Sequence, residues 1–259
     1  MVSTAPTFIQ NGDVSLCLEQ QGHGPRHILF AHGWISSRRM WYEVAHRLEP
    51  DRYSLHLLDF RGAGLSDRPE FGHDLAGYLS DLQCALESID APTTLVAHSM
   101  GARIAQYLAT LRPPNLERLI LVAPGVAKGT RPNEKQGDLA HAAFGSRKKI
   151  ERFQRAAMAA PVLEQAMERI IDDALVAQKE TWFKWFAHGR SEDFSSRLAE
   201  IAVPALAIAG EKDPLAPPSR VKRDVAAMIP GCVFLMLRGA GHNLPVEKPQ
   251  EIAGAIGRF

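Results

Sequence analysis

Ser99, Asp213 and His242 each follow an apolar run of strand length, and together they have the makings of a nucleophile, an acid and a base. In Thr94-Leu95-Val96-Ala97-His98-Ser99-Met100-Gly101 the apolar run stops abruptly and a helix-like segment begins. A serine with small residues at i−2 and i+2 can stand on a sharp strand-to-helix turn. Its hydroxyl then projects free, and the helix N-terminus behind it favours developing negative charge. The usual elbow of this kind has glycine at both flanking positions; here Ala97 takes the first and Gly101 the second. A helix-capping serine would account for this run if it stood alone.

It has companions. A nucleophilic serine needs a base, and the base needs an orienting carboxylate. Val203 to Ala209 reads as a buried strand followed by Gly210-Glu211-Lys212-Asp213-Pro214. Cys232 to Leu237 reads as the next strand, followed by Gly239-Ala240-Gly241-His242-Asn243. The chain order is therefore serine, acid, histidine. Acyl transfer also places negative charge on a carbonyl oxygen, which two converging backbone N–H groups must receive. The N–H of Met100, directly after the nucleophile, is one candidate. The other is the N–H of Trp34, in the loop His32-Gly33-Trp34 that follows the strand His27 to Ala31.

The elements that must hold these residues alternate along the chain. Thr7 to Gln20 reads as a hairpin around Asn11-Gly12-Asp13. Asp74 to Ile89 has apolar residues at helical spacing, Gly101 to Leu111 is the helix behind Ser99, and Leu116 to Ala123 is the following strand. Pro249 to Phe259 reads as a closing helix. Asp59-Phe60-Arg61-Gly62-Ala63-Gly64-Leu65-Ser66-Asp67 is a turn-rich stretch after the strand Ser54 to Leu58, and Asp59 with Arg61 is an expected structural ion pair. His98 should point away from the site by strand alternation, and His32 should hydrogen-bond its own loop.

Taken together, His32-Gly33, Asp59 to Ser66, His98-Ser99-Met100-Gly101, Gly210 to Asp213 and Gly241-His242 resemble the marks of the α/β-hydrolase superfamily, in its order and along almost the whole chain. The resemblance implies an α/β fold with a mostly parallel central sheet flanked by helices, and a helical cap insertion over the site. It implies triad roles for Ser99, Asp213 and His242, and no cofactor. The fold alone does not name a substrate.

At 259 residues the chain can form one large α/β core plus an insertion. Strand and helix stop alternating between Pro124 and about Leu198. The expected division is a core of residues 1–124 and 199–259, with a helical cap of 125–198 inserted after the strand ending near Ala123. Lys128 to Asp138 reads as a mobile loop of that cap. A formal net charge of +1 and the lack of any nucleic-acid-reading motif argue against nucleic acid as a partner. Cys17, Cys84 and Cys232 are widely spread and read as small core residues in a reducing compartment. No metal-ligand spacing is present, and no apolar run approaches a membrane span. The opening Met1 to Pro6 lacks a charged segment followed by an apolar one, so the expected setting is the cytoplasm.

Two features of the cap bear on substrate. Trp182, Trp185 and Phe186 fall at i, i+3 and i+4; the stripe reads first as packing and second as the wall of an apolar pocket. Arg147-Lys148-Lys149, with Arg152 and Arg155, reads first as a solvated helix face and second as a patch for an acidic carrier protein. The expected activity is hydrolysis of a small carboxylic ester or related acyl compound through an acyl-enzyme. The same residues would serve carbon–carbon, thioester or lactone hydrolysis, and a ligand-binding module with residual turnover is the alternative of another class.

Overall fold

The computed structural model describes residues 5–129, 142–185 and 189–259. Eight strands form one sheet: β1 Thr7–Asn11, β2 Val14–Gln21, β3 Arg26–Ala31, β4 Tyr53–Leu58, β5 Thr93–His98, β6 Leu116–Val122, β7 Ala205–Gly210 and β8 Val233–Leu237. Their order is β1-β2-β4-β3-β5-β6-β7-β8. β1 and β2 pair antiparallel across the Gly12-Asp13 turn, β2 runs antiparallel to β4, and every other neighbour pair is parallel.

The central strands are buried on both faces, and their period-two alternation sorts side chains into two cores. Leu29, Leu95, Leu119 and Ala207 join one, under the helices Leu75–Glu87 and Met100–Thr110. Ile28, Phe30, Val96, Ile120 and Ile208 join the other, with Trp41, Val44 and residues Ile252 and Ile256 of the helix Pro249–Arg258. The Leu75–Glu87 helix starts at Asp74, whose side chain accepts from the Gly77 N–H at 2.9 Å. That bond satisfies one of the orphan donors at a helix start.

The chain builds outward from β3 to β4 and then returns to place β5 on β3's other side, so the order reverses between β3 and β5. In open α/β sheets the crevice at the carboxyl ends of such strands is where ligands bind. Ser99 and the Gly33-Trp34 loop leave the sheet there from adjacent strands. Asp213 and His242 follow β7 and β8, which are likewise neighbours.

Between β6 and β7 the described residues form the helices Arg147–Ala156, Glu164–Val176 and Lys179–Lys184 and contribute no strand. They are tied to the sheet's carboxyl end. Ser37 Oγ donates to Asp173 Oδ2 at 2.6 Å, Arg39 Nε donates to Asp173 Oδ1 at 2.9 Å, and Arg169 reaches Glu43 at 2.6 Å. Residues 130–138 of the loop expected at Lys128 to Asp138 lie outside the described residues.

The expected Asp59–Arg61 ion pair does not form. Asp59 instead receives the Arg38 N–H at 2.7 Å and its Nη1 at 2.6 Å, while Arg61 binds Asp81 through Nε at 2.9 Å and Nη2 at 2.6 Å. Both pairs are buried, and each partner comes from about 20 residues away in sequence. Of the three cysteines, Cys17 is fully buried; Cys84 and Cys232 are partly exposed, and all three are free thiols.

Candidate active site

Ser99 occupies the junction of β5 and the Met100–Thr110 helix at φ 49°, ψ −106°, a conformation that L-residues avoid. Surrounding hydrogen bonds hold it there. The Ser99 N–H donates to the Val122 carbonyl at 3.0 Å, and its carbonyl accepts from Arg103 at 3.0 Å and Gly125 at 3.1 Å. The turn also brings the helix hard against β3. A Cβ on Gly101 would sit 2.5 Å from the His32 carbonyl oxygen, which explains a glycine two residues after the serine.

His242 Nε2 lies 2.9 Å from Ser99 Oγ, and its Nδ1 lies 2.8 Å from Asp213 Oδ2. An ionised carboxylate only accepts, so Nδ1 carries the proton and Nε2 is left to accept from the serine hydroxyl. Asp213 is 3 % exposed, and its other oxygen accepts the N–H groups of Leu215 at 2.7 Å and Ala216 at 2.9 Å. Burial alone would raise its pKa. The hydrogen bond and charge of His242, with the two amides, outweigh burial and hold the carboxyl below its usual range.

Met100 and Trp34 flank the serine. Met100 is the first residue of the helix, where backbone N–H groups have no intrahelical acceptor. The loop carrying Trp34 is in contact with the elbow: a Cβ on Gly33 would be 3.4 Å from Ser99 Cβ and 2.6 Å from His98 Nδ1. His32 holds this loop. Phe60 N–H donates to His32 Nε2 at 3.0 Å, so Nδ1–H donates to the Gly33 carbonyl at 2.7 Å. Burial keeps this imidazole below its usual pKa, hence neutral.

A cavity of about 450 Å³ opens in front of Ser99 and His242. Trp34, Phe153, Ile170 and Trp185 give it apolar walls. Trp185 therefore borders the cavity, but Trp182 does not. Trp182 is fully buried behind the wall, edge-on to Trp34 at 5.1 Å and to Phe144 at 5.7 Å, with its Nε1–H donated to the Ala174 carbonyl. A 3-residue step on a short helix turns the two indoles to different neighbours: Trp185 meets Tyr78 of the sheet-side core, and Trp182 packs among the inserted helices. Phe186 lies outside the described residues.

Two residues were not legible as parts of the site. His98 does not turn away from it. The residue borders the cavity, and its ring Nε2 contacts the His242 carbonyl at 2.9 Å. Glu247 is buried beneath the His242 loop. Its Oε2 accepts from Gly241 at 2.8 Å, Ala159 at 2.8 Å and Ala160 at 2.9 Å, and its Oε1 from Asn243 at 2.9 Å. It thus clasps both neighbours of His242 and the start of the Ala159-Ala160 segment. The one sequence signal for it is an acid closing the apolar run Leu244-Pro245-Val246.

The profile of the alpha/beta hydrolase family matches residues 28–255, a span that takes in every strand from β4 to β8 together with Ser99, Asp213 and His242. The chain belongs to the alpha/beta hydrolase family. This hydrolase is 28 % identical over 271 residues to the AB hydrolase superfamily protein YisY of Bacillus subtilis, covering 95 % of each chain. It is 27 % identical over 251 residues to a pimeloyl-[acyl-carrier protein] methyl ester esterase of Xanthomonas oryzae, covering 92 % of this chain and 96 % of that one. Among solved structures, an esterase from Exiguobacterium antarcticum superposes with a TM-score of 0.89 at 22 % identity, over 98 % of each chain, and so shares the fold. Among the described residues no helix is long and apolar enough to cross a membrane.

Proposed function

We propose that this hydrolase cleaves a small carboxylic ester through a Ser99 acyl-enzyme. The observation that carries the reading is the unbroken chain Ser99 Oγ–His242 Nε2–Asp213 Oδ2, at 2.9 and 2.8 Å, opening on a largely apolar cavity. The esterase among its relatives supports the same bond class.

His242 Nε2 takes the Ser99 proton as Oγ attacks the ester carbon. Asp213 holds the imidazole in the required tautomer and stabilises the imidazolium. The carbonyl electrons move onto oxygen, where the N–H groups of Met100 and Trp34 receive the charge. Collapse expels the alcohol, which takes the proton back from His242. Water then attacks the acyl-enzyme with His242 as base, releasing the acid and restoring Ser99. No cofactor takes part in this sequence, and the active state belongs to the cytoplasm.

An acidic carrier protein as the bearer of the substrate has narrower support. One relative acts on an acyl-carrier-protein ester, and Lys148, Lys149 and Arg152 are exposed on the Arg147–Ala156 helix. Arg147 itself is already paired with Glu168 and Asp172.

The test is a burst assay with p-nitrophenyl esters of graded acyl length, run beside Ser99→Ala. The expected result is a stoichiometric burst followed by turnover, with the substitution lowering turnover on the order of a thousandfold or more. Undiminished activity in Ser99→Ala sinks the reading. Folded protein with no burst on any ester shifts the same triad to a carbon–carbon, thioester or lactone bond.

A further inference from the structure

Three arginines border the cavity in front of Ser99: Arg103, Arg190 and Arg220. They come from separate parts of the chain. Arg103 is on the Met100–Thr110 helix, Arg190 lies near the end of the segment between β6 and β7, and Arg220 is on the Pro218–Asp224 helix. Among the described residues, no Asp or Glu borders this cavity. Bringing guanidinium groups together beside apolar walls is unfavourable, because each loses hydration and repels the others. The strain registers on the groups themselves. Burial first, and then the charge of Arg220, pull Arg190 below the usual arginine range; burial brings Arg103 down to about 10.

Part of Arg103 is structural. Its terminal nitrogens donate to the carbonyls of Val126 and Glu192, and its guanidinium lies 4.8 Å from the Phe194 ring centroid. The residue is only 3 % exposed, and its Nε is buried without a hydrogen-bond partner. Acids lie nearby but outside the cavity wall, and the charges of Glu192 and Asp193 act on Arg103. Asp193 binds Ser195 through its N–H and hydroxyl, and Asp224 is gripped by Arg223 at 2.7 Å while Arg220 stands 3.9 Å away.

We propose that this end of the cavity receives a carboxylate, so that the preferred substrate of the Ser99 reaction is a monoester of a dicarboxylic acid. The inference rests on the ester-hydrolase reading for its reacting bond and adds the substrate's charge. A guanidinium pairs with a carboxylate through two parallel N–H bonds, and a site walled by apolar groups strengthens the attraction. Arg103 starts one helical turn from Ser99, about 6 Å along the axis, and a cavity of about 450 Å³ suits a substrate with a short chain between ester and carboxylate. Phe153, Ile170 and Trp185 offer that chain apolar surface.

The experiment compares kcat/KM for monomethyl glutarate and monomethyl adipate with neutral methyl esters of equal length. The monoanions are expected to be preferred on the order of tenfold or more, and the preference to collapse in Arg190→Gln and Arg220→Gln. Arg52→Gln, an exposed site remote from the cavity with the same change in charge, keeps the preference. Ser99-dependent hydrolysis that favours neutral esters, or a preference unmoved by both substitutions, overturns the proposal while leaving the esterase reading intact. So does an equal loss in Arg52→Gln, which would mark a net-charge effect. A second arm needs no turnover: glutarate is titrated calorimetrically into Ser99→Ala. Saturable binding weakened on the order of tenfold by Arg220→Gln supports the site even if no ester is cleaved; no binding at millimolar glutarate refutes it.

Discussion

His98 and His242 are joined through the main chain, with Nε2 of the His98 ring donating to the carbonyl oxygen of His242 at 2.9 Å. The donor is permanent. Burial, and secondarily the charge of His242, pull the His98 pKa down to about 3, so the ring stays neutral with its proton on Nε2. The main chain of the proposed base is thereby held by His98 at the end of β5, and its imidazole by Asp213. His98→Leu removes the donor and leaves a buried carbonyl unpaired. The expected result is a fall in kcat on the order of tenfold with a smaller change in KM, and about 1–2 kcal/mol of lost stability. Steady-state kinetics and urea unfolding on the same preparation check both.

Glu247 makes a stronger demand, because one carboxylate satisfies four backbone donors. In Glu247→Gln one oxygen becomes an NH2 group and confronts N–H groups it cannot accept from. The variant is expected to lose about 2–4 kcal/mol in urea unfolding and most of its turnover. Glu251→Gln, exposed on the closing helix, should stay within about 0.5 kcal/mol of the parent.

Local pattern made most of the fold and the reacting residues readable. Near-continuous apolar runs of strand length mark β3, β5, β6 and β7, and a serine between small residues at the end of such a run marks the elbow. What the pattern could not carry was the choice of distant partners. Asp59 and Arg61 were both visible as buried-turn charges, but Arg38 and Asp81 are the groups that space brings to them. Trp182 and Trp185 have equal claims as a helical stripe, and only the positions of Trp34 and Tyr78 decide which faces the cavity. Glu247 escaped notice because its partners are all backbone amides, which have no signature in residue type.

The backbone at Ser99 supplies a separate test. Its positive φ penalises any residue with a Cβ, and glycine is exempt. Ser99→Ala and Ser99→Gly both lack the hydroxyl, so their difference isolates backbone strain. Ser99→Gly is expected to be the more stable by about 1 kcal/mol, after allowing for the extra freedom of glycine in the unfolded chain. Thermal unfolding of the two inactive variants measures it.

Acid stability follows from four buried imidazoles. His32, His56, His73 and His98 are each held below the usual value of 6.5, in every case chiefly by burial, with His56 at about 4 and His98 at about 3. As pH falls through 6.5 the unfolded chain takes up protons that the folded chain refuses, so stability falls with pH from there, through about 4 for His56 and about 3 for His98. Asp213, lowered in the fold, adds its own loss only below the usual carboxyl range. Unfolding free energies between pH 7.5 and 4.5 should therefore decline steadily. His56→Gln should flatten the slope by about 1.4 kcal/mol per pH unit.

β6 and β7 lie side by side in register, Leu119 opposite Ala205 and Val122 opposite Ile208. Because the two strands are parallel, the long segment between them departs from the sheet's carboxyl rim, where the site lies, and crosses to the amino rim before β7 begins. A segment anchored in this way is a cartridge: its length and sequence can change while the register beneath it stays the same. Ser99 precedes it in the chain, and Asp213 and His242 follow it. Exchange of the cartridge between relatives would alter what is admitted to the serine and leave the machinery of cleavage where it stands.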